Sequence, residues 1–288
     1  MTAHQLPIDT PVFILCGGLG TRLKEETEFR PKPMVPIGNH PILWHIMSLY
    51  SRHGFRKFIL CLGFKAETVK SYFLNYTAMN SDFTVQLKSN ALTLHSIDHD
   101  EDWEVTLADT GELAMTGSRL AKAAKRYLGE AEYAAVTYGD GLTNANLLAE
   151  FLFHQSHRKI GTVLGVNPPS RFGEIKLYED SVIDFSEKPE FKNNWINGGF
   201  FFFKREFFSR YLSEDDSCVL EKDPLIRLAR DRELHLYKHR GFWACMDTQR
   251  DRDYLCQLWS GGQAPWLKTE HFARVNESEE AKYACDKL

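Results

Sequence analysis

Apolar positions fall into short continuous runs. Val12-Phe13-Ile14-Leu15-Cys16 is the first, and it stops at Gly17-Gly18-Leu19-Gly20. An apolar run that ends on glycines predicts a parallel strand, buried on both faces, entering a glycine-rich loop. From Pro41 to about His53 the period changes, and Ile42, Ile46, Leu49 and Tyr50 share one helical face. Phe58-Ile59-Leu60-Cys61-Leu62 predicts a second buried strand, and Ala66 to Asn75 a second helix. Strand, loop, helix, strand, helix is the order of a doubly wound sheet.

Between about Asp82 and Asp109 the pattern alternates: Phe83, Val85, Leu87, then Leu92 and Leu94, then Val105 and Leu107. That predicts an antiparallel excursion inserted into the sheet. Helical spacing returns from Ser118 to Leu128. Tyr133 to Tyr138 predicts a buried strand ending in Gly139-Asp140-Gly141, Leu147 to His157 a helix, and Gly161 to Val166 a strand. Farther on come a hairpin (Glu174 to Leu177, Val182 to Phe185), a buried strand from Gly199 to Lys204, a helix from Pro224 to Asp231 and a strand from Glu233 to Tyr237. The expected fold is α/β: a Rossmann-like doubly wound mixed sheet with an inserted β-hairpin and a C-terminal α+β portion. Residues 1–266 are expected to form one domain, with halves at about 11–165 and 166–266, followed by a polar tail over 267–288. No internal repeat is visible.

At 288 residues the chain can bury a substantial core. Its net charge of −4 argues against binding nucleic acid or an anionic membrane by bulk charge. An anion would need a local pocket of positive groups. There is no run of about 18 apolar residues, and the start lacks the basic and apolar regions of a secretion signal. The expectation is a cytoplasmic protein. The six cysteines are scattered, without a Cys-x-x-Cys pair or zinc-like spacing, so reduced thiols are expected, with Cys16 and Cys61 as small core residues.

Candidate chemistry begins at Gly17-Gly18-Leu19-Gly20-Thr21-Arg22-Leu23, followed by Arg30-Pro31-Lys32-Pro33-Met34. Glycines at a strand end let backbone N–H groups approach a phosphate chain. Arg22 and Lys32 add formal positive charge. A P-loop is excluded, because no Lys follows Gly20. A dinucleotide fold is disfavoured: Gly18-Leu19-Gly20 runs into Arg22 and Leu23, and Leu62-Gly63-Phe64 ends the next strand without a carboxylate.

Gly17 to Leu23 with Pro31-Lys32-Pro33 resembles the signature of the sugar-phosphate nucleotidyltransferases. The resemblance implies that the loop wraps a nucleotide, with Leu15, Gly17, Gly18, Leu19, Gly20, Thr21, Arg22, Lys32, Thr116, Arg119 and Gly139 in contact with it. Asp140 and Asp247 match the family's metal positions, and Mg2+ bound to nucleotides commonly takes one or two protein carboxylates. Arg171-Phe172-Gly173-Glu174, Ser186-Glu187-Lys188-Pro189 and Asn197-Gly198-Gly199 resemble the acceptor side of the family. There Lys188 would grip the sugar phosphate, with Arg171, Gly173, Glu187, Asn197 and Gly198 around the sugar. The resemblance covers nearly everything from Val12 to Trp266.

Asp109-Thr110-Gly111, Met115-Thr116-Gly117-Ser118-Arg119 and Ala264-Pro265-Trp266 resemble the cytidylyltransferase branch. Cytosine offers acceptors at N3 and O2, so a cationic donor such as Arg119 would favour it over uracil or thymine. A helix-surface charge is the alternative for Arg119. The implied substrates are CTP and glucose 1-phosphate, and the products CDP-glucose and pyrophosphate. A sugar-phosphate oxygen would attack the α-phosphorus in line, with Arg22, Lys32, Asp140 and Lys188 as the catalytic set. A phosphate monoester, with a second pKa of about 6, needs little base catalysis. The resemblance also implies a homo-oligomer, a hexamer being one form, and dideoxysugar supply for surface polysaccharide.

Rival readings are the same chemistry with UTP or dTTP, a silent nucleotide-sugar-binding regulator, and an NAD-dependent oxidoreductase. His95 and His99 beside Asp98 read as a polar hairpin tip rather than a metal site. His154 and His157 are expected on a helix surface, and Phe200 to Phe203 in a core strand.

Overall fold

The computed structural model describes residues 5–18, 20–95, 101–167, 174–186 and 195–268. Its principal strands are β1 (Pro11–Leu15), β2 (Lys57–Leu62), β3 (Glu104–Asp109), β4 (Tyr133–Tyr138), β5 (Gly141–Thr143), β6 (Gly161–Val166), β7 (Ile196–Lys204), β8 (Leu234–His239) and β9 (Trp243–Cys245). Seven of them form one sheet in the order β8-β6-β7-β4-β1-β2-β3. Within it β1 runs parallel to β2 and β4, β2 to β3, and β6 to β8. Only β7 is reversed, antiparallel to β4 and β6. That reversal sets the N-terminal end of β7, with Asn197 and Gly198, at the edge where β1 and β4 end. The fold is the expected α/β type with a mixed, mostly parallel sheet.

Helices α1 (Ile42–Arg52), α2 (Ala66–Leu74), α3 (Thr116–Tyr127), α4 (Leu147–Ser156), α5 (Arg205–Arg210), α6 (Asp223–Arg230) and α7 (Gln249–Ser260) cover the sheet. The pleat divides the core in two. Val12, Ile14, Phe200 and Phe202 pack with Ile42 and Ile46 of α1 and Phe151 of α4. Phe13, Leu15, Phe201 and Phe203 pack with Leu120, Ala123 and Ala124 of α3 and Phe207 and Phe208 of α5. All four phenylalanines of β7 are buried, each side chain worth roughly 1.5–3 kcal/mol of burial. Burial on both faces is why the run does not alternate.

The structure departs from expectation in several places, among them the short helix α5, which the pattern did not predict. The 83–94 segment is a hairpin, Phe83–Gln86 against Ala91–Leu94, but residues 104–109 leave it and join the main sheet parallel to β2. As an edge strand, β3 has one partner and partly buried faces, so its sequence alternates like a hairpin strand. Helix α7 was not anticipated, because its face is crowded with charge. Its signal was Thr248 and Asp251, which form a capping box at its start. His154 is buried rather than on the surface, with Nδ1 2.8 Å from the Thr162 hydroxyl. Burial holds its imidazolium form far out of reach. Glu150, one turn earlier, is also fully buried, and burial raises its carboxyl well above the usual range. No described helix is long and apolar enough to cross a membrane.

Candidate active site

The loop at the C-terminal end of β1 is locked to β2 on one side and to the end of β4 on the other. Cys16 N donates to the Cys61 carbonyl at 3.1 Å, and Gly139 N to the Leu15 carbonyl at 3.1 Å. A Cβ on Gly139 would lie 2.8 Å from Pro33 Cγ and 2.9 Å from the Leu15 oxygen, so only glycine permits this approach. Above the loops lies a cavity of about 490 Å3. Leu15, Gly17, Gly18, Gly20, Arg22, Lys32, Thr116, Arg119, Gly139 and Asp140 all line it. Leu19 lies outside the described residues, and Thr21 is described in its backbone only.

Lys32 is aimed by a short 3-10 turn, Lys32–Met34, with Pro31 before it and Pro33 within it. Its ammonium stands 2.6 Å from Asp140 Oδ2 and 2.6 Å from Asp247 Oδ1. Arg22 donates to the other oxygen of Asp247 at 2.9 Å. Residues separated by more than 200 positions thus form one chain of alternating charge. Two backbone devices bring the aspartates together. β5 pairs antiparallel with β9, Gly141 opposite Cys245, and Met246 N donates to the Asp140 carbonyl at 2.9 Å. Asp247 sits just before α7, where Asp247 N and Thr248 N both donate to Asp251 Oδ2. Burial pushes the Lys32 ammonium down, but the charge of Asp140 and hydrogen bonds to both aspartates outweigh it and hold the group above its ordinary value.

Asp140, Cys245 and Asp247 offer ligand atoms within 4.8 Å of one another. Two carboxylates on separate loops, already converging on one cationic nitrogen, suit a hard divalent cation. Cys245 is the soft member, and burial, reinforced by Asp140, raises its thiol above the usual range.

Arg119 is placed differently from Lys32. It lines the cavity yet is 4% exposed. Its Nη1 donates to Leu62 O at 3.0 Å, Thr110 Oγ1 at 3.1 Å and Gly111 O at 2.5 Å. Its Nη2 donates to Gly17 O at 3.0 Å and Glu112 O at 2.9 Å. Five protein acceptors engage both terminal nitrogens, so the residue ties the glycine loop to the end of β2 and the 110–112 turn. A Cβ on Gly17 would fall 2.3 Å from its Cζ, which accounts for glycine there. A helix-surface charge does not describe this geometry.

Thr116 opens α3 at the rim; its hydroxyl donates to Glu221 at 2.8 Å and accepts from Leu220 N at 2.9 Å. On the acceptor side, Arg171, Gly173, Glu187 and Lys188 lie outside the described residues, as do Asp98 and His99. Asn197 and Gly198 are described. Asn197 Oδ1 accepts from Gly199 N at 2.8 Å, and Gly198 O accepts from Trp243 Nε1 at 2.7 Å. Trp243 thereby ties this corner to β9 and so to Asp247. Residues not anticipated at the site are Tyr138, Glu112 and Leu113 on the cavity wall and Glu221 beside Thr116. Tyr138 was legible as a strand end next to Gly139; nothing in the sequence marked Glu221.

A glycine loop, a lysine and two convergent carboxylates over a mixed α/β sheet define a nucleotide-binding transferase site, and the comparisons with known proteins agree. The chain belongs to the nucleotidyl transferase family, whose model matches residues 12–251. Within that family it groups with the glucose-1-phosphate cytidylyltransferases. It is 45% identical over 257 residues to those of Salmonella typhi and Salmonella typhimurium, covering 89% of this chain and 98% of each relative. Among solved structures it shares its fold with HddC from Yersinia pseudotuberculosis complexed with GMP-PN. That match has a TM-score of 0.60 at 23% identity and covers 87% of this chain and 99% of that one.

Proposed function

We propose that the chain transfers the cytidylyl group of CTP to α-D-glucose 1-phosphate, giving CDP-glucose and pyrophosphate. The observation that carries this reading is the convergence of Lys32, Asp140, Asp247 and the glycine loop on one cavity, in a chain 45% identical to enzymes of that name. A phosphate oxygen of the sugar ester forms the new bond to the α-phosphorus as the bond to pyrophosphate breaks. The obstacle is bringing two anions together, and fixed positive charge offsets it. Lys32 and Arg22 supply that charge from the nucleotide side, with the N–H groups of the glycine loop. Asp140 and Asp247 would hold Mg2+, which supplies further positive charge to the phosphates. Lys188 is the proposed grip on the sugar phosphate, with Arg171, Gly173, Glu187, Asn197 and Gly198 around the sugar. Arg119 acts here as a positioning residue, holding the shape of the base-side wall by its backbone contacts.

Phe83, Val85, Leu87 and Leu92 of the 83–94 hairpin are exposed apolar side chains. They suit contact between copies in a homo-oligomer. Pyrophosphate release, followed with glucose 1-phosphate and each of CTP, UTP and dTTP, tests the reading. CTP is expected to give the fastest release. Equal or faster release with UTP or dTTP would overturn the assignment of the base, and no release with any of them would overturn the reaction.

A further inference from the structure

A second cavity, about 570 Å3, shares helix α3 with the first but none of its lining residues. It opens between the C-terminal half of α3 and the α5 segment, away from the glycine loop. Its floor is apolar: Ala121, Ala124, Leu128, Phe208 and Leu212. Its polar rim includes Lys125, Arg126, Arg205 and one acid, Glu214. Arg126 donates to the carbonyls of Lys122 and Asp109, and Arg205 to that of Gly129. Carbonyl acceptors leave both charges in place. Lys125 meets Glu214 at 2.6 Å, but the two side chains are 68% and 49% exposed. Such a pair is weak and readily exchanged for a stronger anion. A net positive rim over an apolar floor stands out in a chain whose total charge is −4, and its volume is in the range of small-molecule sites.

We propose that this cavity is a second ligand site, one that takes a nucleoside diphosphate group. The diphosphate would replace Glu214 at Lys125 and lie against Arg126 and Arg205, with the base on the apolar floor. The nucleotide cavity feels this through the chain between the two. α3 begins at Thr116 on the first cavity and carries Lys125 on the second. The segment that bears Glu214 also holds the start of that helix. Ser118 Oγ donates to Glu214 O at 3.0 Å, Met115 N to Asp216 O at 2.9 Å, and Thr116 Oγ1 to Glu221 at 2.8 Å. Release of Glu214 from Lys125 therefore acts on the residues that frame the first cavity.

Equilibrium dialysis of the full chain against labelled CDP, UDP and ADP, with pyrophosphate as the fourth probe, tests this. At least one nucleotide is expected to bind at two sites per chain, falling to one in Lys125→Glu/Arg205→Glu. Ser209→Trp, which fills the cavity from its exposed edge without changing charge, is expected to remove the same site. It guards against misreading a fold defect in the charge-reversed variant. Occupancy of the second site is expected to change the affinity of the first for CTP at least about fivefold. A single site for every probe, or two sites untouched by either variant, overturns the proposal. Pyrophosphate binding as tightly as the nucleotides overturns the role of the apolar floor, and an unchanged CTP affinity overturns the coupling.

Discussion

Lys32 and Arg119 stand on the same cavity, and the regions they belong to handle charge in opposite ways. At the open edge of the sheet each formal charge has a counter-charge: Arg22 on Asp247, Asp247 on Lys32, Lys32 on Asp140. Behind that wall, charge is wrapped or suppressed. Arg119 is enclosed by carbonyls and a hydroxyl, His45 is held neutral, and Glu150 is pushed toward its protonated form. The difference teaches where this molecule does chemistry and where it holds shape. Carboxylates that converge on an ammonium can exchange it for another cation. A guanidinium whose terminal nitrogens meet four backbone oxygens and a hydroxyl is held in place by the chain around it.

The largest expected effect tests the first half of this contrast. Lys32→Ala should lower kcat by about 100-fold or more, the scale of losing one preorganised electrostatic donor. Pyrophosphate release at saturating substrates measures it. Arg119→Met should act chiefly on stability, by roughly 3 kcal/mol, because buried carbonyl acceptors lose their donor at about 1–3 kcal/mol each and not additively. Urea denaturation reads that loss. The contrast breaks if the two results exchange places, Lys32→Ala unfolding the chain and Arg119→Met leaving it stable but inactive.

Acid sharpens the picture of the interior. His45 Nε2 lies 2.9 Å from the Ile37 carbonyl, while Nδ1 accepts from Trp266 Nε1 at 3.2 Å. One nitrogen donates and the other accepts, so the ring is neutral, and burial lowers its pKa to about 4. The unfolded imidazole keeps a pKa of about 6.5. Between these values the unfolded chain binds more protons, so the contribution is intact above 6.5 and is lost as pH falls toward 4. The loss should be roughly 3 kcal/mol, seen as a falling urea midpoint from pH 7 to pH 4.5. A His45→Gln variant with the same acid sensitivity would remove His45 as the source. The smallest effect belongs to Arg22, whose side chain is 75% exposed. Arg22→Ala should change stability by less than about 1 kcal/mol while raising the KM for CTP. A large drop in Tm would show that the ion chain holds the fold and not only the site.

Much of the fold was legible because it rests on local patterns. Apolar runs ending in glycine marked β1 and β4, and helical spacing marked α1 and α3 to within two residues at either end. Errors arose where the local pattern had two meanings. Alternation in residues 104–109 fits an edge strand as well as a hairpin, and a charged helix such as α7 has too weak an apolar stripe to announce itself. At the site, the glycines and Lys32 stood out by residue type and spacing, and Asp140 and Asp247 through their match to the family's metal positions. Glu221 was not, because its relation to Thr116 is a contact across 105 positions.

The class of chemistry was legible in the chain alone, through the glycine loop, the Lys-Pro pair and the aspartate motifs that together resemble a known family, because short motifs carry their residue types and spacing without a third dimension. Only the tertiary structure decided which basic groups remain available. Arg119 and Lys32 carry the same charge on the page. One meets five oxygens of its own chain and the other two carboxylates on distant loops. Solvation and partners set what a charge can do, and both come from neighbours brought together by the sheet rather than by the chain.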